Sequence, residues 1–372
     1  QTHKEVTGAT MDRAAEFKIK ISKLALYLQK AGAEGVALGR VDNFAWATCG
    51  GESHVNAATE CGVATFIMIG DSHIVLTNRI EEARMLEEQL DGLPVEIDSL
   101  PWQADKEQYV KQKYCSQCVM LTDSPFAGIP MLPADFDHIL WEMTPPELDR
   151  YRDVGRRTGE ALQDACMQVK RGMSENGLAG LLARNCIDNG VYPTVILVAA
   201  DQRLRRHRHP LPTDNKIEKD VMAVVCGRKG GLIASCTRIV SIGGPTPELR
   251  SRHDACLRVD AAFNTRTRPG ERVGHIYNEA IKLYDEAGFP GEWDLHHQGG
   301  ATGYRGRWFF ANEESREIVV QNSAYAWNPS ITGTKSEDTI LILHDYNEVI
   351  TVVPGWPLAK VEAPGATLER PD

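Results

Sequence analysis

The second half of the chain runs twice through the same order of elements, and this repetition limits the fold more than any other feature. Residues 145–169, "PPELDRYRDVGRRTGEALQDACMQV", and 174–190, "SENGLAGLLARNCIDNG", carry apolar residues at helical spacing. Short apolar runs follow: "TVILVAA", "DVMAVVCG" and "GLIASCTRIVSIG". The order then restarts with helical patterns over 247–266 and 272–288, followed by strand patterns over 316–328 and 338–353. A short glycine-containing turn, "RGMS" or "RPGE", separates the helices of each pair. A helix–helix–strand–strand unit used twice predicts an α+β domain with pseudo-twofold symmetry. Its pocket is expected between the halves, where strands from both converge.

The first half reads differently. A helix is predicted over about residues 10–32, stopping at Gly32. Strand patterns follow at 35–39, 43–48, 63–70 and 73–77, then a charged helix at 79–90, which together predict an α/β domain. Pro145 and Pro146 break the chain and Glu147 opens a new helix, so the boundary is set at 1–144 and 145–372. A hydrophobic content of 42% with 25% charged residues supports a packed core. The net charge of −10 argues against a general nucleic-acid partner. The nine cysteines are odd in number and scattered, and "CSQC" stands without a second pair, so reduced thiols are expected rather than disulfides or zinc. The apolar runs are too short to span a bilayer and the first residues show no signal pattern. The expected location is therefore cytoplasmic, with no membrane partner.

Five ordered segments carry a family resemblance: "TPPELDRYRDVGRRTGEAL", "HPLPTDNKIEKDVMAVV", "GLIASCTRIVSIG", "HHQGGATGY" and "NPSITGTKSEDTILI". With them the second half resembles the pita-bread fold of methionine aminopeptidase, prolidase, aminopeptidase P and creatinase. The first half resembles the creatinase/prolidase N-terminal domain. The peptidases of that family hold two metal ions with two Asp, one His and two Glu. The resemblance places those ligands on Val224, Ser235, Gly300, Asn328 and Glu337 of this chain, where only Glu337 keeps the ligand type. Valine and glycine offer no side-chain donor to a divalent ion. The expectation is therefore no family-type metal site and no cofactor.

Creatinase is the family's precedent for catalysis without metal, and the resemblance places its acid/base histidine on His209 and its two substrate-holding glutamates on Thr237 and Asn328. The residues themselves add a basic run, "RLRRHRH". If that run is extended, Arg203, Arg205, His207 and His209 share one face suited to an anion, and the alternative is a solvated loop pairing with the protein's own carboxylates. His296 and His297 are expected to face opposite ways in a strand, with His296 toward the pocket. The glycines at 299, 300 and 303 are expected to leave room for substrate or to allow backbone packing. Arg307 matches a substrate-facing position. A metal-free Glu337 must be protonated or paired, with Arg238, Lys335 and Arg307 as partners. Cys226 and Cys236 lie on pocket strands, where inert packing is the commoner role and nucleophilic attack the rarer. The segment containing His54 resembles one that reaches a neighbouring site in creatinase-like dimers.

These readings lead to a metal-independent, creatinase-like enzyme that cleaves a C–N bond, by hydrolysis or elimination, of a small, anionic molecule. The catalytic candidates are His209, His296 and Glu337. The substrate-binding candidates are Arg203, His207, Thr237, Arg238, His297, Arg307, Asn328 and His54. A homodimer is expected. Two rival readings are a non-catalytic binding module, and an Xaa-Pro-type peptidase whose metal site is rebuilt from His209, His296 and Glu337.

Overall fold

The computed structural model describes residues 12–116, 118–363 and 365–372. The described chain divides into two compact units, one ending at Asp149 and the other beginning at Arg150.

The first unit opens with α1 (Arg13–Ala31). The Asp12 carboxylate caps its start by accepting from the Ala15 amide, and Gly32, at φ 69°, ends it in the left-handed region. The expected first residues of this helix, 10 and 11, lie outside the described residues. A five-stranded sheet follows, formed by β1 (Gly35–Arg40), β2 (Cys61–Ile69), β3 (Ser72–Asn78), β4 (Glu96–Leu100) and β5 (Met120–Thr122), in the order β4-β3-β2-β1-β5. The strand expected at 43–48 is instead a helix, α2 (Val41–Ala47). Asp123 causes the turn: its carboxylate accepts from the amides of Gly39 and Arg40 and from Asn43 Nδ2. A short buried apolar run has no periodicity that separates strand from helix. The charged helix expected at 79–90 is short, Glu82–Arg84, and continues as a wider turn over Met85–Gln89.

The second unit repeats its order of elements. Helices α3 (Pro145–Cys166) and α4 (Glu175–Asp188) precede an antiparallel sheet of β6 (Tyr192–Ala200), β7 (Asp220–Lys229) and β8 (Leu232–Ser241), with the short helix α5 (Gln202–Arg206) after β6. Helices α6 (Pro247–Arg266) and α7 (Val273–Glu286) then precede β9 (Gly299–Thr302), β10 (Ser323–Trp327), the hairpin β11 (Ser330–Ile331) and β12 (Thr334–Lys335), and β13 (Asp338–Ile342) with β14 (Asn347–Val349). The strand expected over 316–328 is thus confined to its last residues. The chain closes with a two-stranded ribbon, β15 (Leu358–Ala363) and β16 (Ala366–Pro371).

The second sheet has the order β14-β13-β10-β9. It joins the first along β8 and β13: Thr339 Oγ1 accepts from the Ser235 amide at 2.8 Å and donates to the Ser235 carbonyl at 3.0 Å, and the Thr237 amide donates to the Glu337 carbonyl at 3.0 Å. Residues of both halves therefore meet at this seam. Phe263, stacked on Trp327 at 4.3 Å between ring centres, anchors the core beneath the second sheet. Gly159 lets α3 lie close to the chain beyond β14, since a Cβ there would approach the Thr351 carbonyl oxygen to 2.3 Å. Behind the seam lies a buried charge chain in which Arg370 bridges Asp260 and Asp338, and Asp338 also accepts from Arg238.

Candidate active site

His209 is delivered by the chain after α5. Asp201 fixes that segment, its carboxylate accepting from the amides of Glu218, Lys219 and Asp220. The extended basic face is not formed, because residues 202–206 are helical. Arg203 is bonded to the buried Glu175 carboxylate and to the Leu211 carbonyl, Arg205 lies 3.9 Å from Glu248, and Arg208 bonds Glu292 at 2.6 Å. The run mainly pairs with the protein's own carboxylates, and Arg203 is not free to hold an anion.

His209 itself is exposed, and its Nε2 lies 3.0 Å from Nε2 of the buried His296. A contact between two ring nitrogens is a hydrogen bond only if one of them carries the proton, so the tautomers of the pair are linked. His296 and His297 do not face opposite ways. Their rings stack at 4.4 Å between centres, and His297 also lies 4.4 Å from the exposed Phe310 ring. The alternation fails because these residues precede β9, whose first residue, Gly299, stands in the left-handed region at φ 97°. Gln298 holds the turn: its amide donates to the carbonyls of Trp293 and His296, and its oxygen accepts from Tyr284 Oη at 2.8 Å. Gln298 was not singled out in the sequence, although its place between two histidines and two glycines marks it as the residue that must shape the turn.

Glu337 is buried and ionised. Burial alone would raise its pKa, but Lys335 Nζ at 2.7 Å and Arg307 Nη2 at 3.1 Å outweigh it and hold the carboxyl at about 2. Thr237 Oγ1 donates to the same carboxylate at 2.8 Å. The hairpin places Lys335: β11 and β12 pair Ser330 with Lys335 across a two-residue turn that contains Gly333 at φ 90°. Arg238 does not take part. It is buried and bonded to Asp338 and to the carbonyls of Thr237 and Thr351, so its expected role on substrate is replaced by a structural one. Asn328 is buried beside the turn, its backbone N–H donating to the Gln298 carbonyl, and its Oδ1 has no partner among the described residues. Nδ1 of His297 and Nε of Arg307 are likewise buried without a partner. His207 lines a cavity of only about 10 Å³ with His296, Thr334 and Lys335, room for a single water. His54 lies in the first unit, between α2 and β2.

The three imidazoles are all held in the neutral form. Burial lowers His296 to about 2, with Lys335 and the other two rings adding to it. His297 is lowered to about 4 by burial and then by Arg307 and Lys335, and His209 is lowered by burial and then by Lys335. The unfolded chain binds protons at these histidines below about pH 6.5, while the folded chain refuses them down to the lower values. Stability from this source is complete above pH 6.5 and is lost as pH falls, toward about 4 for His297 and about 2 for His296. Each buried histidine contributes a slope of at most about 1.4 kcal/mol per pH unit, less for the partly exposed His297. Glu337 adds to the slope only at the acid end, because its own loss begins near its unfolded value of 4.5 and runs to about 2. Denaturant melts between pH 7 and 4 should show this slope, and His296→Gln should make it shallower. An unchanged slope in that variant would remove the histidines as its cause.

The family's dinuclear metal centre does not fit these residues. Val224 is a buried apolar residue of β7, and the Ser235 hydroxyl donates to Cys226 Sγ at 3.2 Å. At Gly300 even a Cβ would lie 2.3 Å from the Phe309 carbonyl oxygen, so no histidine can stand there. The glycine is filled by backbone and leaves no widened gap. Gly300→Ala should cost about 1–3 kcal/mol in a denaturant melt, through overpacking. The remaining carboxylate, Glu337, is already neutralised by two cations. Cys226 and Cys236 are raised by burial, which opposes the thiolate that a nucleophile needs.

The comparisons agree with this architecture. The chain superimposes on a recombinant prolidase from Thermococcus sibiricus with a TM-score of 0.76 at 17% identity, covering 93% of this chain and 98% of that one. The prolidase from Pyrococcus horikoshii OT3 gives 0.75 at 16% identity over 90% and 98%, and the Xaa-Pro dipeptidase from Bacillus anthracis gives 0.73 at 16% over 93% and 99%. At these identities the likeness shows the fold. Among the described residues, no helix is long and apolar enough to cross a membrane. No curated protein matches the sequence. A model of the metallopeptidase family M24 matches residues 149–342, just over half of the chain, and the protein belongs to that family.

Proposed function

We propose that this chain is a small-molecule enzyme of the M24 fold that breaks a C–N bond by histidine acid/base chemistry, without the family's dinuclear metal centre. The observation that carries the reading is the His209–His296 pair, an exposed imidazole bonded at 3.0 Å to a buried neutral one, set beside Lys335, Arg307 and Glu337. Two cations against one carboxylate leave an excess positive charge, which suits an anionic substrate. The unpartnered Asn328 Oδ1, Arg307 Nε and His297 Nδ1 supply further polar contacts. His209 passes the proton. It takes one from the attacking water and returns one to the leaving nitrogen, while His296 fixes its tautomer and orientation. A homodimer in the cytoplasm belongs to the same proposal, and sedimentation of the purified protein tests the dimer.

The test is release of ammonia or amine from a panel of small N-acyl, ureido and amidino carboxylates, with and without a strong chelator. Turnover that survives the chelator is expected. Turnover that the chelator abolishes and a divalent ion restores would overturn the reading.

A second reading, a hydrolase with one rebuilt metal, has one observation in its favour. Donor atoms of His209, His296 and His297 all lie within 4.8 Å of one another. Against it, the His296 and His297 rings stack face to face rather than aiming at a common point, and Lys335 and Arg307 repel a further cation. Metal analysis separates the two: a stoichiometric ion that is lost in His296→Ala would establish the second.

A further inference from the structure

The second unit holds a cavity apart from the one beside the histidines. A space of about 500 Å³ opens where the ends of α3 and β8 meet the start of α6 and the segment around Trp356. Its walls are apolar: Ile239, Ile242, Leu249 and Trp356, with the exposed Met167 at the rim. Of the uncharged polar side chains that line it, Ser241 is committed to Asp220, while Thr334 and His253 are joined by a 2.7 Å bond between Thr334 Oγ1 and His253 Nδ1. Its charged groups are already matched, since Arg250 is paired with both Asp254 and Asp372.

We propose that this cavity is a second binding site, for a compact uncharged molecule with an aromatic or aliphatic body and one hydrogen-bonding group. The volume lies within the usual range for small-molecule sites, roughly 300–1,000 Å³. The lining fits an apolar body, and the Thr334–His253 pair fits a hydroxyl, amide or carbonyl. A charged ligand is disfavoured, because the lining offers no unmatched counter-charge and a buried charge without one is costly. Thr334 also lines the small cavity that contains His296 and Lys335, so one hairpin separates the two sites. The proposal does not depend on the chemistry assigned to the histidines.

The test titrates the purified full chain with benzyl alcohol and, separately, with benzoate, by calorimetry and ligand-observed NMR. The two probes match in size and differ in charge. Benzyl alcohol is expected to bind saturably at one site, and Ile242→Trp, which fills the cavity, to weaken it at least tenfold. Benzoate that binds at the histidine site is expected to be unaffected by that substitution. Met167→Trp at the exposed rim serves as the second variant if Ile242→Trp lowers the melting temperature. Absence of saturable benzyl alcohol binding would overturn the proposal, as would equal affinity in the folded variants. Benzoate binding lost with Ile242→Trp would overturn the assignment to an uncharged ligand.

Discussion

Arg370→Ala is expected to lower the unfolding free energy of the second unit by about 3–5 kcal/mol, the usual cost of removing one member of a buried ion pair. Arg370 is fully buried in β16, with its Nε on Asp260 and its Nη2 on Asp338 at 3.1 Å. Without it Asp338 keeps Arg238, whereas Asp260 keeps only neutral donors such as the Ser336 hydroxyl. Burial already raises the Asp260 pKa, with Arg370 opposing it, so an uncompensated Asp260 takes up a proton or destabilises the fold. At about 2–4 °C per kcal/mol for a unit of this size, the melting temperature should fall by roughly 10 °C. Replacing both partners, Arg370→Met with Asp260→Asn, should recover part of the loss, because a missing pair costs less than a lone buried charge. A single variant that loses under 1 kcal/mol would show that the charge chain is not what ties β16 to the seam.

His209→Ala is expected to reduce turnover of a substrate found in the amine-release panel by about 10²–10⁴-fold, the range for a general acid/base. The fold should be unaffected, because His209 is exposed, and surface substitutions shift stability by about 0.5 kcal/mol or less. His296→Gln should lower kcat rather than raise KM, since His296 acts through His209 and lies behind it. The acidic limb of the pH–rate profile should fall below the ordinary imidazole value of about 6.5, because burial and Lys335 both disfavour the charged ring of His209. Turnover within threefold of the parent in His209→Ala would end this mechanism.

Much of the frame was legible before any coordinates. The doubled order of helices and strands is written in residue patterns with local periods. The errors and the readings left open have physical causes. The run at 203–209 left a basic face and pairing with the protein's own carboxylates both open, because charge count alone does not register that Glu175, Glu248 and Glu292 lie within reach. The histidine pair reads as alternating because a strand was assumed to begin at His296, whereas Gly299 starts it three residues later. The glycines left space and backbone packing both open, because the absence of a side chain does not show what packs there, and at Gly300 it is the Phe309 backbone.

The sequence by itself determined the family and the order of elements in the second unit, since each follows from residue type and short-range spacing. Only the tertiary structure decided which cation neutralises which carboxylate. It set Lys335 and Arg307 on Glu337, Arg238 and Arg370 on Asp338, and His209 on His296. Apart from Lys335, two positions from Glu337, those pairings join residues about 30 to 100 positions apart, and a buried charge takes whichever partner the packed sheets bring within hydrogen-bond distance.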